Sequence, residues 1–268
     1  MFFVKKLYLK LINYLPNNRL LYYFCKQIVD KYNNQNNIDF STNGELSVMQ
    51  NFSNKSKVVF DIGSNLGQWT KLALGINKDL KVHCFEPSLY TFNKLMENKF
   101  PDNVNCNNIG LSSTKGERTF FVFENGSGLN SLYQRIGLET ILGENVQNKT
   151  ETILLDTLEN YCFERNIKEI DFMKIDTEGH ELEILKGGES LLKKGQIKMI
   201  QFEYGGCNID SHVLLKDIFN FFNKTGYSFY KIFPKHLKLI KKYDYRFENF
   251  QYQNWLIVEN ECVSTYIS

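Results

Sequence analysis

The sequence predicts an α/β fold with a mostly parallel, doubly wound sheet and helices on both faces. Short apolar runs such as 58–62 and 170–175 alternate with helical stretches of about ten residues, which is typical of strand–helix–strand crossovers. Most positions of these runs are apolar without a polar alternation, as expected for strands covered on both faces. Because ligands bind at the carboxyl ends of such strands, the residues that follow each strand are the candidates for chemistry.

The predicted elements follow in order, each from its own local pattern. Pro87 ends the second strand, since proline has no N–H for a strand ladder, and Gly63 and Gly67 mark the turn after the first. The predicted strands are 57–63, 81–86, 104–111, 118–123, 151–155, 170–175, 198–202, 227–232 and 255–258. The predicted helices are 69–74, 90–98, 158–165, 180–192 and 213–224.

The 268 residues are predicted to form one domain, 45–268, preceded by a helical arm or lid over residues 1–44. Phe3, Leu7, Leu11 and Tyr14 recur at helical spacing with lysines between them. Three roles stay open for the arm: packing on the domain, covering a pocket, or peripheral contact with a membrane surface. No uncharged stretch approaches the roughly 18 residues of a transmembrane helix, so no membrane span is predicted.

Composition excludes several classes of protein. Lys and Arg number 32 against 30 Asp and Glu, a balance that argues against a general nucleic-acid binder. The six cysteines contain no CxxC pair, so a zinc ribbon is not supported. With 43% hydrophobic residues the chain can bury a core without disulfides. We expect mostly buried free thiols in a cytoplasmic protein.

The turn after the first strand, Gly63-Ser64-Asn65-Leu66-Gly67, is the sharpest local signal. Glycines allow a ligand to approach the backbone closely, and N–H groups at the start of a helix would face that ligand. A dinucleotide site needs glycines at 63, 65 and 68, but Asn65 and Gln68 occupy two of these positions. Asp61 would repel a pyrophosphate and attract the ammonium of S-adenosylmethionine, directly or through water. The turn therefore predicts a S-adenosylmethionine site.

Glu86 ends the second strand, 25 residues after Asp61 and directly before Pro87. An acid at this place accepts hydrogen bonds from both ribose hydroxyls of a nucleotide. Nucleotide enzymes share this role generally, so Glu86 supports a nucleoside cofactor without choosing between cofactors.

A second acidic cluster follows the strand 170–175. It contains Asp176, Glu178 and His180, and Glu203 ends the next predicted strand. Lys174 lies inside the first of these strands and needs a partner there, which Asp176 or Glu203 could supply. Two acids at adjacent strand ends can deprotonate a hydroxyl, orient it, or hold a divalent metal. His180 is the alternative base, because its ordinary pKa lies near neutrality.

These motifs resemble the FkbM family of methyltransferases across residues 45–258. The resemblance is carried by VVFDIGSNLGQWT (58–70), VHCFEPS (82–88), NIGLSSTKGERTFFV (108–122), ETILLDTLENYC (151–162), IDFMKIDTEGHELEILKGG (170–188), IQFEY (200–204) and NWLIV (254–258). It implies the Rossmann-like fold of class I methyltransferases and methyl transfer from S-adenosylmethionine to a hydroxyl. Family members act in macrolide tailoring and on sugars of surface glycans, so the implied acceptor is a hydroxyl of a nucleotide sugar or glycan.

The resemblance also implies roles for single residues. The segment 127–131, with Ser131 at its end, is similar to a family loop near the cofactor. The cofactor loop is matched by Asp61, Gly63, Ser64, Asn65 and Gly67, the ribose acid by Glu86 with Pro87, and the acids near the reaction centre by Asp176, Glu178 and Glu203.

Two other functions stay open at this point. One is a nicotinamide-dependent sugar oxidoreductase on the same fold class, which the missing glycines disfavour. The other is a non-catalytic scaffold that keeps the fold, which the acids at 61, 86, 176 and 203 disfavour. The sequence predicts neither the particular acceptor nor the oligomeric state.

Overall fold

The computed structural model describes residues 12–15, 17–137 and 149–266. Within these residues the strands form one eight-stranded and one three-stranded sheet. The strands are β1 (Val58–Ile62), β2 (Lys81–Phe85), β3 (Val104–Asn107), β4 (Gly110–Ser112), β5 (Gly116–Val122), β6 (Lys149–Thr157), β7 (Phe172–Ile175), β8 (Met199–Tyr204), β9 (Tyr227–Phe233), β10 (His236–Ile240) and β11 (Gln253–Glu259).

The main sheet has the strand order β10-β9-β11-β8-β7-β1-β2-β3. The five neighbouring strands β8, β7, β1, β2 and β3 pair in parallel. The last strand, β11, inserts antiparallel between β8 and β9. The prediction of a mostly parallel α/β sheet is confirmed, and the carboxyl ends of β1, β2, β7 and β8 meet at one edge.

Helices connect the parallel strands and cover both faces of the main sheet. They are α1 (Arg19–Asn33), α2 (Glu45–Ser53), α3 (Gln68–Ile76), α4 (Leu89–Met96), α5 (Leu158–Glu164), α6 (Glu181–Lys186), α7 (Glu189–Lys193), α8 (Cys207–Ser211), α9 (Leu215–Phe221) and α10 (Val263–Tyr266). Val59 packs into a core with Val48 of α2 and Ala73 of α3. The next residue, Phe60, packs on the other face with Tyr161 of α5. Neighbouring residues of one strand thus enter two separate cores, as doubly wound sheets require.

The predicted single strand 104–111 is wrong, because the chain changes sheets within it. β3 pairs with β2 in the main sheet, whereas β4 pairs with β6 in the three-stranded sheet β4-β6-β5. Asn108 holds the crossing point, where its Nδ2 donates to the carbonyls of Glu86 and Pro87 at 2.9 Å each. The small sheet, which also contains the runs predicted at 118–123 and 151–155, was not foreseen as a separate layer.

The predicted helix 180–192 is divided into α6 and α7 at Gly187-Gly188. A Cβ on Gly187 would stand 2.0 Å from the carbonyl oxygen of Ser112, so the chain approaches β4 too closely for any other residue. The helix α2, the short helix α8 and the strand β10 were not predicted from the sequence.

The helix α1 contains no buried residue and connects to the domain through the residues after it. Asn34 ends the helix at φ 50°, and its Nδ2 donates to the carbonyls of Asn43 and Ile232 at 2.7 and 3.0 Å. Of the helices in the described ranges, none combines the length and apolar character needed to cross a bilayer.

All six cysteines are free. Cys84, Cys162 and Cys207 are buried as predicted, whereas Cys25 on α1 is exposed. The expectation of mostly buried thiols therefore holds for three of the six.

Candidate active site

A cleft opens at the carboxyl ends of β1 and β2 and reaches past the end of β7. We call it the carboxyl-edge cleft. One wall comes from the main sheet and the opposite wall from the three-stranded sheet. The described residues that line it are Ile62, Gly63, Asn65, Phe85, Glu86, Pro87, Gly110, Leu111, Phe120, Ser127, Gly128, Asn130, Leu132, Ile153, Leu155, Asp176, Thr177, Glu178 and His180.

Both glycines of the turn 63–67 lie in close contact with other segments of the protein. Gly63 has φ +82°, and a Cβ there would stand 1.8 Å from the carbonyl oxygen of Asp176. Gly67 has φ +78°, and a Cβ there would stand 2.7 Å from Leu95 Cδ1. Gly63 therefore lets β1 and β7 end side by side, and Gly67 lets α3 begin against α4.

Asn65 and Ser64 fasten this turn to the second strand. Asn65 has a left-handed backbone with φ 46°, and its N–H donates to Glu86 Oε2 at 3.0 Å. Ser64 Oγ donates to the Asp61 carbonyl at 2.6 Å and accepts the Phe85 N–H at 3.0 Å. Asn65 lines the cleft, whereas Ser64 is buried and shapes it from behind.

Glu86 lies at the end of β2 with its carboxylate already oriented. Its second oxygen, Oε1, accepts the Ser88 N–H at 3.0 Å. Burial raises the pKa of Glu86 to about 7, against the lowering effect of the hydrogen bonds from Ser88 and Asn65. Pro87 follows it in the cleft wall. The acid is thus held at the cleft by two backbone donors and lies near its ionisation point at neutral pH.

Asp61 is completely buried and does not line the cleft. Its Oδ2 accepts a hydrogen bond from Thr70 Oγ1 at 2.7 Å, and its Oδ1 has no partner among the described residues. Burial raises the pKa of Asp61, while the charge of Lys174 lowers it. Lys174 lies opposite Asp61 in the β1–β7 register. The negative charge of Asp61 can therefore attract a cofactor electrostatically from beneath the cleft. Its direct contact with the ammonium of the cofactor stays a prediction.

Lys174 forms an ion pair with Asp176, one of the two partners predicted for it. Its Nζ lies 2.9 Å from Asp176 Oδ2. On the neighbouring strand β8, Gln201 Nε2 donates to Glu45 Oε2 at 2.6 Å, and Asn254 Nδ2 of β11 donates to Glu45 Oε1 at 3.0 Å. A buried polar layer thus runs behind the ends of β1, β7 and β8. Glu45, at the start of the unpredicted α2, was missed because no local pattern connects it with this edge.

Asp176, Glu178 and Glu203 converge at one end of the carboxyl-edge cleft. One carboxylate oxygen from each lies within 4.8 Å of the other two, so the predicted meeting of Asp176 and Glu203 occurs. Burial and repulsion by Asp176 and Glu178 raise the pKa of Glu203 well above its ordinary value. Burial and Asp176 also raise the pKa of Glu178 to about 7. We call these three residues the acid cluster.

Arg135 supplies a second positive charge beside the acid cluster, in addition to Lys174, and sequence reasoning missed it. It forms an ion pair with Glu178, and its Nε lies 3.1 Å from Asp210 Oδ2. These partners are 43 and 75 residues away in the sequence, so no local spacing could have indicated them.

His180 is buried between two hydroxyl groups. Its Nδ1 lies 2.9 Å from Tyr133 Oη and its Nε2 lies 3.0 Å from Ser112 Oγ. Burial lowers the pKa of His180 to about 4, so the ring is neutral at pH 7 and both of its nitrogens are occupied. The geometry disfavours the predicted role as a general base. His180 instead connects Tyr133, just after the segment 127–131, with Ser112 of β4.

Ser131 holds the loop 127–131 from a buried position, and its predicted contact with the cofactor stays a prediction. The side chain is completely buried, and its Oγ donates to the Glu178 carbonyl at 2.9 Å and accepts the Tyr133 N–H at 3.1 Å. Ser127, Gly128 and Asn130 of the same loop line the cleft. Ser131 thus connects this loop to the backbone of the acid cluster.

The strand order and the cleft at the carboxyl edge are those expected of the Rossmann-like fold of class I methyltransferases. The chain belongs to the FkbM methyltransferase family, whose domain, described as "Methyltransferase FkbM domain", matches residues 61–247. The family suggested by the sequence motifs is thereby confirmed.

Curated and solved relatives show how far the similarity extends. The chain is similar to the hexuronic acid methyltransferase AglP of Haloferax volcanii, with 28% identity over 153 residues, 55% of this chain and 56% of AglP. The match thus spans about half of that relative's length. The solved methyltransferase FkbM of Methylobacillus flagellatus has 14% identity and a TM-score of 0.46, over 76% of this chain and 43% of its own. A precorrin-6y C5,15-methyltransferase of Geobacter metallireducens has 11% identity and a TM-score of 0.39, over 80% of this chain and 87% of its own.

Proposed function

We propose that this protein transfers a methyl group from S-adenosylmethionine to a hydroxyl of a sugar. The observation that carries the proposal is the charge of the carboxyl-edge cleft. Glu86, Asp176 and Glu178 line it, and no lysine or arginine is among its described lining residues. A cofactor with an ammonium and a sulfonium group is attracted by such a site, whereas a phosphate is repelled.

The same observation separates this proposal from a nicotinamide-dependent oxidoreductase. A dinucleotide places its pyrophosphate at the glycine turn and the following helix. Here the Glu86 carboxylate accepts the N–H of Asn65, so a negative group already occupies the donor that a pyrophosphate would need. S-adenosylmethionine has no phosphate, and its ribose hydroxyls are suited to Glu86.

The apolar part of the cleft is suited to the purine ring. Leu111, Phe120 and Leu155 line the side formed by the three-stranded sheet, and they are buried within the protein. A flat adenine between apolar side chains is stabilised by removal of its faces from water. The cofactor would then lie with its base toward the small sheet and its reactive methyl toward the acid cluster.

The acid cluster favours a neutral hydroxyl as the acceptor. The name of the curated relative states action on a hexuronic acid, a sugar that carries both hydroxyls and a carboxylate. A substrate carboxylate placed beside Asp176, Glu178 and Glu203 would be repelled in this partly buried site. A hydroxyl can instead donate a hydrogen bond to these oxygens, and we therefore propose ether formation on a sugar hydroxyl.

The acid cluster would orient the acceptor and take its proton. When bound, S-adenosylmethionine supplies the electrophilic methyl, whose bond to sulfur breaks as the bond to the acceptor oxygen forms. Asp176 and Glu203 hold the hydroxyl in line, and one of them receives the proton that leaves the oxygen. Positioning of the two reactants contributes much of the rate. Burial and the neighbouring acids raise the pKa of Glu203, so its ionised form binds a proton more strongly than an ordinary glutamate does.

The donor set of the acid cluster also suits a hard divalent cation. Three carboxylate oxygens within 4.8 Å of one another match the oxygen ligands of Mg²⁺, Mn²⁺ or Ca²⁺. Asp176, Glu178 and Glu203 would hold the ion, which would lower the pKa of the acceptor hydroxyl. The proposed methyl transfer does not depend on this ion.

Calorimetric titration of the purified chain with S-adenosylhomocysteine tests the cofactor, with NAD as the matched control ligand. We expect a Kd on the order of micromolar for S-adenosylhomocysteine and no heat of binding for NAD. The same titrations with added Mg²⁺ test the acid cluster, where a change in affinity would support the cation. Absence of S-adenosylhomocysteine binding under both conditions would overturn the proposal, and binding of NAD would favour the oxidoreductase.

Catalysis is separated from a scaffold role by Asp176→Asn. With a panel of nucleotide sugars and oligosaccharides as acceptors, transfer is detected as the mass of one added methyl group. We expect the variant to lose at least about 100-fold in turnover while it still binds S-adenosylhomocysteine. Unchanged turnover would remove Asp176 from the site, and binding without any transfer in the unmodified chain would favour the scaffold.

A further inference from the structure

The helix α1 turns its polar side toward the domain and its apolar side outward. Lys26, Asp30 and Asn33 recur at helical spacing on this polar side and are half-buried, as is one apolar residue of the helix, Leu21. Lys26 Nζ lies 2.7 Å from Asp30 Oδ2 and donates to Gln251 Oε1 at 3.2 Å. A helix that packs on its own domain has the opposite arrangement, with apolar residues inward.

The outward side of α1 is broad and rich in aromatic residues. Leu20, Phe24 and Ile28 lie on one flank with exposed fractions of 79%, 65% and 53%. Tyr22 and Val29 lie on the other flank, and both are exposed. At 100° per residue the apolar arc from Leu20 to Tyr22 covers about 200° of the helix. Lys31 lies within that arc, where its long side chain can extend its ammonium toward water.

Positive charge accompanies this apolar surface. Residues 1–33 contain six basic residues and one acid, Asp30, a formal charge of +5. The whole chain carries +2, so the remaining residues carry −3. On α1 itself, Arg19 and Lys31 form no ion pair with any residue in the described ranges. Residues 1–33 therefore combine net positive charge with apolar residues, whereas the rest of the chain is slightly acidic.

We propose that α1 docks this protein on the surface of an anionic lipid bilayer. Amphipathic helices with aromatic and aliphatic residues on one side and nearby basic residues bind at the boundary between headgroups and acyl chains. Anionic headgroups attract the basic residues of the segment. A lipid surface can cover an arc of about 200°, whereas a single partner helix covers only a narrow stripe. The width of the arc therefore favours a membrane over a paired copy of α1.

Docking of α1 would bring the acid cluster close to the membrane. The Asn36 N–H, three residues after α1, donates to the Tyr252 carbonyl at 2.9 Å. Tyr252 lies against Gly205, directly after β8 and two residues from Glu203. The C-terminal end of α1 is thus connected to the same end of the main sheet as the acid cluster. The docking proposal does not depend on the identity of the cofactor or the acceptor.

Co-sedimentation of the full chain with vesicles tests the docking. We expect binding to vesicles that contain phosphatidylglycerol, much weaker binding to pure phosphatidylcholine vesicles, and loss of binding as salt is raised. The combined variant Leu20→Ser, Phe24→Ser and Ile28→Ser is expected to reduce the bound fraction at least about tenfold. The matched control, Leu154→Ser, Phe163→Ser and Leu239→Ser, changes three exposed apolar residues outside α1 and is expected to bind normally.

Two outcomes would overturn this inference. The first is no binding to either kind of vesicle. The second is a concentration-dependent dimer, measured by analytical ultracentrifugation without lipid, that the α1 variant converts to a monomer while vesicle binding stays absent. The titration with S-adenosylhomocysteine serves as a folding control for both triple variants, and it separates failure of docking from failure of the proposed function.

Discussion

Lys174 Nζ lies 2.9 Å from Asp176 Oδ2, and this pair joins the two acidic motifs of the chain. Lys174 lies opposite Asp61 of β1 in the strand register. Burial would lower the pKa of Lys174, but the charges of Asp176, Asp61 and Glu45 outweigh it and raise that pKa. One buried ammonium thus neutralises carboxylates from the cofactor turn, the acid cluster and the helix α2.

Removal of this ammonium is predicted to destabilise the fold. Lys174→Met would leave Asp61 and Asp176 with an uncompensated buried negative charge, which costs about 3–5 kcal/mol in the free energy of unfolding. Chemical denaturation would measure this loss. Lys231→Met is the matched control, because burial lowers the pKa of Lys231 to about 8 and Lys231 has no ion pair in the described ranges. We expect that control to be neutral or stabilising, and equal losses in both variants would contradict the pairing.

The affinity for S-adenosylhomocysteine is predicted to rise with pH. The pKa of Glu86 is raised to about 7, so its carboxyl loses a proton as the pH increases from 6 to 8. The ionised form accepts hydrogen bonds from ribose hydroxyls more strongly. The increase in affinity over this range is limited to about tenfold for one group of this pKa. Calorimetric titrations at pH 6, 7 and 8 would measure it.

Glu86→Gln provides the control for this pH dependence. The amide cannot ionise, so we expect weaker binding and loss of the part of the dependence that Glu86 causes. A Glu86→Gln variant that retained the full dependence would assign it to another acid, with Glu178 the first candidate because its pKa is also raised to about 7.

His180 is predicted to remain neutral through the physiological pH range. Burial lowers its pKa to about 4, and Tyr133 and Ser112 occupy its two nitrogens. The ¹³C shift of its ring, assigned with a His180→Gln variant, should change by no more than about a tenth of its full titration range between pH 8 and pH 5. Tyr133→Phe should cost about 1–2 kcal/mol of stability through the unpaired nitrogen. A titration midpoint between pH 6 and 7 would restore His180 as a candidate base.

Alanine at Gly63 is predicted to disrupt the carboxyl edge. The new Cβ would stand 1.8 Å from the Asp176 carbonyl, and φ is +82°. We expect a loss of at least about 2–3 kcal/mol together with loss of S-adenosylhomocysteine binding. Gly75→Ala is the matched control in the last turn of α3, where the added Cβ has no atom within 4 Å apart from the adjacent residues and the backbone of the helix itself. It should stabilise the helix by about 0.5–1 kcal/mol. Normal binding by the Gly63→Ala variant would contradict the close approach of β1 and β7.

Local patterns predicted the parallel part of the sheet because β1, β2, β7 and β8 are largely buried and because glycine or proline stands within two residues after β1, β2 and β8. Strand β4 was missed as a separate element because the side-chain amide of Asn108 changes the direction of the chain within an otherwise strand-like run. The division between α6 and α7 was missed because its cause is the carbonyl of Ser112 on a different strand. Both errors arise from contacts between segments that are distant in sequence.

By itself, the sequence determined the fold class, the family and the set of acids in or directly after the last residues of β1, β2, β7 and β8, since parallel strands of one sheet bring their carboxyl ends together. Only the tertiary structure decided what each residue does there. It buried Asp61 beneath the cleft, held Glu86 at its wall, occupied both nitrogens of His180 and paired Arg135 with Glu178. Burial and charge at a site depend on neighbours from many segments, and residue spacing along one chain does not contain them.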